Sequence, residues 1–243
     1  KRFQPFVFLW GLLFVIPGGI VSQTYMPMDL SEGATWSHNE CGSKPDWGAV
    51  YKLKTYGDTV LHDNIYKKLY YQYKRTNGVC SECNFTFNRD SSTLFALIRQ
   101  DADKRKVYFI YPGISDKEWL AYDFYITETG QDLTGFSLIH TTGPESPSAA
   151  LYVYQLEVDK IDTVCLNGEW VRRYYFGPGN GGNPYHYPEF WIEGLGSTHG
   201  LLVQGFGGPE WLQQLYCFHY KEGGVYYDSA AIMNCIAPNS LTC

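Results

Sequence analysis

Large apolar and polar side chains alternate at every second residue along most of this chain, and short turn sequences interrupt the alternation. In the segment 119–127, for example, every second side chain is large and apolar: Leu120, Tyr122, Phe124 and Ile126. Successive side chains of a β-strand point to opposite faces, so a period of two predicts strands that bury one face. No stretch has the period of a long amphipathic helix. The pattern therefore predicts an all-β fold.

This pattern predicts at least ten strands joined by tight turns. The predicted turns lie at Gly57–Asp58, at 101–106, at Asn167–Gly168 and at Gly223–Gly224. The Asn-Gly step is the strongest of these signals, because a type I′ hairpin turn needs positive φ at both central residues. Consecutive strands without crossover helices must pair antiparallel, and so many strands need closure or two packed layers to protect their edges. The prediction is a single antiparallel meander that forms either a barrel or a two-layer sandwich.

Aromatic residues are unusually frequent, with 21 Tyr, 14 Phe and 7 Trp. They suit a pleated, half-buried surface, which agrees with strands. An exposed tyrosine also offers an apolar ring face beside a wet hydroxyl, as in surfaces that stack on carbohydrate. Structural use of these rings is the commoner explanation. No internal repeat or linker divides residues 23–243, which are expected to form one domain.

The first 22 residues have the pattern of a signal peptide. Lys1 and Arg2 precede an apolar run over 6–16, and the small residue Ser22 marks a plausible cleavage site. The run is too short to span a bilayer, and no later stretch reaches that length, so we expect no membrane span after signal removal. The expected location is secreted or at the cell surface, or periplasmic if no sorting domain follows.

Charge and cysteines restrict the possible partners. Removal of residues 1–22 takes away Lys1 and Arg2 and no acidic residue, so the formal net charge moves from −6 to −8. An acidic domain of this kind is not expected to bind nucleic acid. Seven cysteines in an exported chain suggest disulfides, with Cys217–Cys235 and Cys80–Cys83 as the candidate pairs. The Cys80-x-x-Cys83 step is only half of a zinc site, so no metal and no cofactor are expected.

Several short stretches resemble a known group of proteins. They are Leu97-Ile98-Arg99-Gln100-Asp101, Ala121-Tyr122-Asp123-Phe124, Arg172-Arg173-Tyr174-Tyr175-Phe176 and Trp191-Ile192-Glu193-Gly194-Leu195-Gly196-Ser197. Together they resemble a family of uncharacterised secreted proteins of Bacteroidota, many of which carry a C-terminal sorting domain for type IX secretion. The resemblance implies export and an antiparallel β domain, and it supplies no catalytic residues. No sorting domain is visible before Cys243, so we expect a truncated reading frame or another route out of the cell.

One cluster of polar residues is a candidate site: His186, Glu189, Glu193, His199 and, from elsewhere in the chain, Asp123. A pair of carboxylates could serve a glycosidase. In a continuous strand, however, Glu189 and Glu193 would lie roughly 13 Å apart, which is too far for such a pair. The preferred hypothesis is structural. Glycines would bend the segment 193–197, and Glu193 would accept hydrogen bonds from loop amides or pair with Arg172 or Arg173.

The leading functional hypothesis is an exported, non-catalytic β domain that acts as a binding or structural module, with an unidentified glycan or protein as its ligand. The alternative is a secreted carbohydrate-active hydrolase that uses paired carboxylates. A third hypothesis is a domain that accompanies a larger multidomain protein.

Overall fold

The computed structural model describes residues 25–42, 48–76, 85–140, 150–166, 169–176, 189–197, 201–202, 211–220 and 223–225. Of these, residues 38–42, 48, 76, 132–140, 150–156, 189, 211–220 and 223–225 are described by their backbone only. The predicted signal peptide lies outside this part of the chain.

The described residues form strands, one short 3₁₀ turn at Arg89–Ser91 and no α-helix. The strands are β1 (Thr35–Gly42), β2 (Gly48–Leu61), β3 (Asn64–Thr76), β4 (Thr93–Asp101), β5 (Lys106–Tyr111), β6 (Ser115–Asp123), β7 (Asp132–His140), β8 (Ala150–Leu166), β9 (Glu169–Phe176), β10 (Glu189–Ile192), β11 (Gly196–Ser197), β12 (Trp211–Tyr220) and β13 (Gly223–Val225). The all-β prediction is confirmed.

These strands follow one another in the order β11-β10-β9-β8-β7-β6-β5-β4-β3-β2-β1-β12-β13. Neighbours pair antiparallel, except that β6 and β7 are parallel through the pair Leu120 and Phe136. The chain departs from a simple meander at its end, because β12 returns to pair with β1. Among the described strands, the two ends of the order do not pair with each other. The sheet therefore does not close into a barrel, and the sandwich alternative fits.

Contacts between strands far apart in this order show how the sheet folds over itself. The indole Nε1 of Trp36 on β1 donates to the carbonyl of Leu195, in the turn between β10 and β11, at 3.3 Å. The ring of Trp191 on β10 lies 5.1 Å from that of Tyr122 on β6, in an edge-to-face arrangement. Trp36, Trp191 and Tyr122 are all fully buried, and edge-to-face pairs of this kind contribute about 1 kcal/mol beyond their burial.

Two of the predicted turns are confirmed and two are wrong. Asp101 pairs with Lys106 and Leu166 with Glu169, so both hairpins form as expected, although 167–168 themselves lie outside the described residues. Gly223 and Gly224 belong to β13 and do not form the turn, because Gly223 pairs with Tyr220.

The predicted turn at Gly57–Asp58 is an irregularity within β2. The β2–β3 register shifts between Thr55 and Asp58, so a bulge accommodates the glycine and the strand continues to Leu61. The turn follows at His62 and Asp63, whose φ angles of 50° and 60° are those of a type I′ hairpin. Short polar side chains tolerate this conformation better than most residues, which explains a turn without glycine.

The segment before β1 packs across the turn between β10 and β11. Met26 and Met28 lie against the hydrophobic core. An added Cβ at Gly194 would lie 2.7 Å from the Sδ atom of Met26, and one at Gly196 would lie 3.3 Å from the Cε atom of Met28. Both glycines have positive φ, 82° and 99°. Glycine is therefore required here for its backbone angles and for the approach of the methionines.

Gly194→Ala and Gly57→Ala separate these two requirements. Gly57 has a φ of 63° but nothing within 4 Å of an added Cβ, so alanine there adds only backbone strain of about 1–2 kcal/mol. Alanine at Gly194 adds overpacking against Met26, and we expect a total loss of about 2–4 kcal/mol in the free energy of unfolding. Urea denaturation measures both variants. Equal losses would contradict the close packing of the N-terminal segment.

Candidate functional site

Glu193 is held inside the fold by two neighbouring segments. It follows β10 in the turn that leads to β11, and only 1% of its surface is exposed. The hydroxyl of Tyr174 donates to its Oε1 atom at 2.9 Å, and the backbone N–H of Arg172 lies 3.4 Å from Oε2. The backbone N–H of Glu193 in turn donates to the carbonyl of Arg172 at 3.0 Å. The carboxylate and the main chain of Glu193 are therefore both bonded to β9.

The surroundings of this carboxylate favour its neutral form. Burial raises the pKa of Glu193, and the hydrogen bonds from Tyr174 and Arg172 oppose the increase only in part. The Arg172 guanidinium lies at 3.5 Å from the carbonyl of Ile126 and forms no ion pair with Glu193. Burial likewise raises the pKa of Tyr174, and the nearby Glu193 carboxylate adds to the increase. The pair is thus a buried hydrogen bond within a polar network of low charge.

Asp123, the second candidate carboxylate, is engaged at the end of β6. Its Oδ2 atom lies 3.0 Å from the Nζ of Lys106, and its Oδ1 atom accepts from the backbone N–H of Tyr125 at 3.0 Å. Tyr25 lies within the electrostatic influence of both Asp123 and Glu193: burial raises the pKa of its hydroxyl, and the two carboxylates add to the increase. The Tyr25 hydroxyl accepts from Gln100 at 2.6 Å. Each described carboxylate of the predicted site thus has a partner within the protein.

Of the other predicted site residues, Arg173 is directed to a different carboxylate and not to Glu193. Arg173 binds Asp162 on β8 through two hydrogen bonds, of 2.8 and 3.0 Å. Burial of Asp162 works against its charged form, but the bonds from Arg173, Tyr175 and Lys160 hold its pKa at about 2. The side chain of Glu189 is not described, and His186 and His199 lie outside the described residues. The structural hypothesis for Glu193 agrees with these contacts and stays a prediction.

The cysteine predictions also fall on parts of the chain that are not described. Cys80, Cys83 and Cys235 lie outside the described residues, and Cys217 is described by its backbone only. Cys165, which is buried near the end of β8, is disulfide-bonded. Within the described ranges, no group of three or more His, Cys, Asp or Glu side chains is placed to hold a metal ion. No helix found in the same ranges has the length and apolar character to cross a membrane.

A different cluster lies on the outer face of β2 and β3, and the sequence interpretation missed it. Lys52 and Lys54 alternate on β2 with Leu53, which faces the core. Tyr70 of β3 lies directly opposite Lys54 in the ladder. The segment 85–92 crosses this face and adds further aromatic and cationic side chains. We call the cluster the outer-face patch and define it as Lys52, Lys54, Tyr56, Tyr70, Phe87 and Arg89.

Cations and rings are interleaved throughout the outer-face patch. The guanidinium of Arg89 lies 3.4 Å from the ring centre of Tyr70, and the Nζ of Lys54 lies 5.2 Å from the ring centre of Tyr56 and 5.9 Å from that of Phe87. The Tyr56 ring is 5.8 Å from Phe87 and 6.3 Å from Tyr70, so the three rings are contiguous. These distances are within the range of cation–π and aromatic contacts.

Lys52 completes the outer-face patch at the other end. Its Nζ donates to the carbonyl of Phe85 at 2.5 Å and lies 4.9 Å from the centre of that ring. Burial lowers the pKa of Lys52, and the neighbouring charge of Lys54 lowers it further. The positive charge of Lys54 therefore acts against the charged form of Lys52.

The described part of the chain offers the cations of the outer-face patch no acidic partner. Among the described residues, no carboxylate lies within ion-pair distance of Lys52, Lys54 or Arg89. Elsewhere in the described ranges, ion pairs neutralise Lys67, Arg99, Lys104, Lys106, Lys160 and Arg173. The patch is thus a local excess of positive charge on a chain whose net charge is −6.

The sequence contains a signal for this cluster, in two short runs of period two. Lys52, Lys54 and Tyr56 form one run, and Phe85, Phe87 and Arg89 form the other. Each run places cations and rings on one face of an extended backbone. Nothing in the sequence says that the two runs meet, because the second lies in a connection and not in a strand.

No protein-family model, curated protein or solved structure matches this chain.

The raised pKa of Glu193 predicts how stability depends on pH. The unfolded chain releases the Glu193 proton near pH 4.5, whereas the folded protein holds it to higher pH. Between these two values the folded state binds more protons, so its stability falls as the pH rises, by at most about 1.4 kcal/mol per pH unit. In Glu193→Gln, which cannot titrate, we expect this fall to disappear.

Asp162→Asn is the matched control, because its pKa shift has the opposite sign. Asp162 contributes stability that is present above pH 3.8 and is lost as the pH falls toward its folded-state pKa of about 2. Its removal should change only the acid side of the profile. Urea denaturation between pH 2 and 8 measures all three proteins. A Glu193→Gln profile identical to that of the wild type above pH 4.5 would contradict the raised pKa.

Proposed function

We propose that the chain is an exported, non-catalytic β domain that acts outside the cytoplasm as a binding or structural module. Export rests on the signal-peptide pattern of residues 1–22 and on the resemblance to secreted proteins of Bacteroidota. The location that follows is secreted or cell-surface, or periplasmic without a sorting domain. The ligand, if the module is a binding one, is a glycan or a protein.

The enclosure of Glu193 is the observation that carries the non-catalytic part of the proposal. A general acid must reach the oxygen of the leaving group, within hydrogen-bond distance. Glu193 is 1% exposed, both of its oxygens face donors of β9, and the Met26 side chain packs on the adjoining turn. Asp123, the proposed second carboxylate, is bound to Lys106 and to the Tyr125 amide. These contacts support a role in holding the sheet layers together.

A secreted carbohydrate-active hydrolase is the second candidate, and one observation favours it. A glycosidase needs one carboxylic acid that remains protonated near neutral pH, and burial raises the pKa of Glu193 in that direction. The same burial also keeps substrate away. We therefore rank this candidate below the binding module.

The two candidates differ in what Glu193→Gln does to turnover. We expect the exported protein to hydrolyse no polysaccharide, aryl glycoside or peptide of a broad panel faster than a buffer blank, and Glu193→Gln to behave in the same way. Product release is measured as reducing ends, chromogenic aglycone and free amines. Turnover by the wild type that Glu193→Gln abolishes, with unchanged circular dichroism, would reject the proposal in favour of the hydrolase.

A further inference from the structure

We propose that the outer-face patch binds an acidic carbohydrate, whose carboxylate or sulfate groups contact Lys52, Lys54 and Arg89 while its sugar rings pack beside Tyr56 and Phe87. This inference rests on the proposed function as a binding module and names the ligand class and the surface.

The charge of the outer-face patch is unbalanced. The half-buried side chains of Lys52 and Lys54 project from the same face of β2, two residues apart, and no described carboxylate neutralises either of them or Arg89. Like charges held together at a partly buried surface oppose folding unless an anion offsets them. Several other cations obtain that anion from within the chain, as Lys160 does from Asp162 at 3.0 Å. An anion from outside the chain is the natural partner of the patch.

Aromatic rings lie beside these cations. Tyr56 and Phe87 are half-buried, and their ring planes are inclined by 31° at a centre distance of 5.8 Å. They form a continuous apolar surface that adjoins Lys54 and, through Tyr70, Arg89. A simple inorganic anion would contact only the cations of the patch. A sugar that carries an acid group contacts both the cations and the rings, because it has an apolar C–H face next to its charge.

The backbone geometry argues against an extended peptide as the ligand. Peptides commonly bind sheets by adding a strand to a free edge. Lys52 and Lys54 lie in a stretch of β2 that pairs with β1 on one side and with β3 on the other. No free edge is available there, so the patch offers a ligand its side chains only.

Charge density argues against nucleic acid. Duplex DNA carries one charge for about every 1.7 Å of its axis, and its binding depends on neutralising many of these phosphates. The patch supplies three cations on a chain of net charge −6, so most phosphates would meet a repelling surface. A polysaccharide with at most one acid group per sugar places fewer uncompensated charges on the domain.

The test measures binding of the full exported chain to polygalacturonate and to a dextran sulfate with at most one sulfate group per sugar, by isothermal titration at low and at moderate salt. Methyl-esterified pectin and plain dextran are their uncharged counterparts, and single-stranded oligo(dT) represents nucleic acid. Comparison of polygalacturonate with dextran sulfate shows whether the patch prefers carboxylate or sulfate groups. We expect binding to at least one acidic polysaccharide, weaker binding at higher salt, and no binding to its uncharged counterpart.

Two double variants with the same change in net charge assign the surface. Lys54→Gln/Arg89→Gln removes two cations of the patch, and we expect about a tenfold or greater loss of affinity, because both would form charge-assisted contacts with the acid groups of the ligand. Lys67→Gln/Lys160→Gln removes two cations that have carboxylate partners, and we expect less than about a twofold change. Lys54→Arg/Arg89→Lys keeps both charges and should retain most of the affinity. Equal thermal unfolding midpoints establish that the variants are folded.

Aromatic variants test the second half of the inference. Tyr56→Ala should weaken binding by about fivefold or more, whereas Tyr125→Ala, which removes a tyrosine that is 63% exposed outside the patch, should not. Equal losses from both charge variants would overturn the assignment, as would binding that depends on the exposed Trp170. If oligo(dT) binds preferentially and through the patch, the ligand class is nucleic acid and not acidic carbohydrate.

Failure of this inference is distinguishable from failure of the proposed function. If no acidic polysaccharide binds, the inference is wrong, while a neutral glycan or a protein bound without turnover would leave the binding module in place. Turnover that requires Glu193 would remove the proposed function, whatever the patch binds.

Discussion

The turn between β10 and β11 is the contact on which the two layers depend. It receives the indole hydrogen bond of Trp36 from β1, the thioether of Met26 from the N-terminal segment, and the hydroxyl of Tyr174 from β9. β1 lies far from β10 in the sheet order and the N-terminal segment lies outside it, so the turn joins both of them to β9, the neighbour of β10. Gly194 supplies, within this turn, a positive φ that other residues adopt only with strain.

A buried carboxylate at such a junction has a physical explanation that needs no catalysis. Tight turns leave backbone donors unpaired, and a buried unpaired donor costs about 1–3 kcal/mol. Glu193 provides two acceptor oxygens where the N–H of Arg172 and the hydroxyl of Tyr174 both point inward. Its raised pKa is the consequence of that position, because burial disfavours the anion by more than the two donors favour it.

The alternation of apolar and polar side chains predicted the all-β fold, because each strand turns one set of side chains to the core and the other set outward. It also predicted the hairpin at 167–168, since Leu166 pairs with Glu169. It failed at Gly57–Asp58, where the glycine occupies a bulge and the tertiary register extends β2 to a turn at His62 and Asp63. At the candidate site, the sequence indicated that Glu193 would accept from a loop amide. It could not identify Tyr174 as the second donor or Asp162 as the partner of Arg173, because both depend on how β9 lies beside β8 and β10.

The outer-face patch lies on residues that the core does not need. On β2, Leu53 packs inward and is almost completely buried, whereas Lys52 and Lys54 face outward from the same strand. The alternation that forces Leu53 into the core therefore leaves the opposite positions to the outer face. There the two lysines contact the connection 85–92: Lys52 donates to the carbonyl of Phe85, and Lys54 lies over the ring of Phe87. Because these contacts use a carbonyl and a ring face and no carboxylate, they hold the connection to the sheet without neutralising the two positive charges.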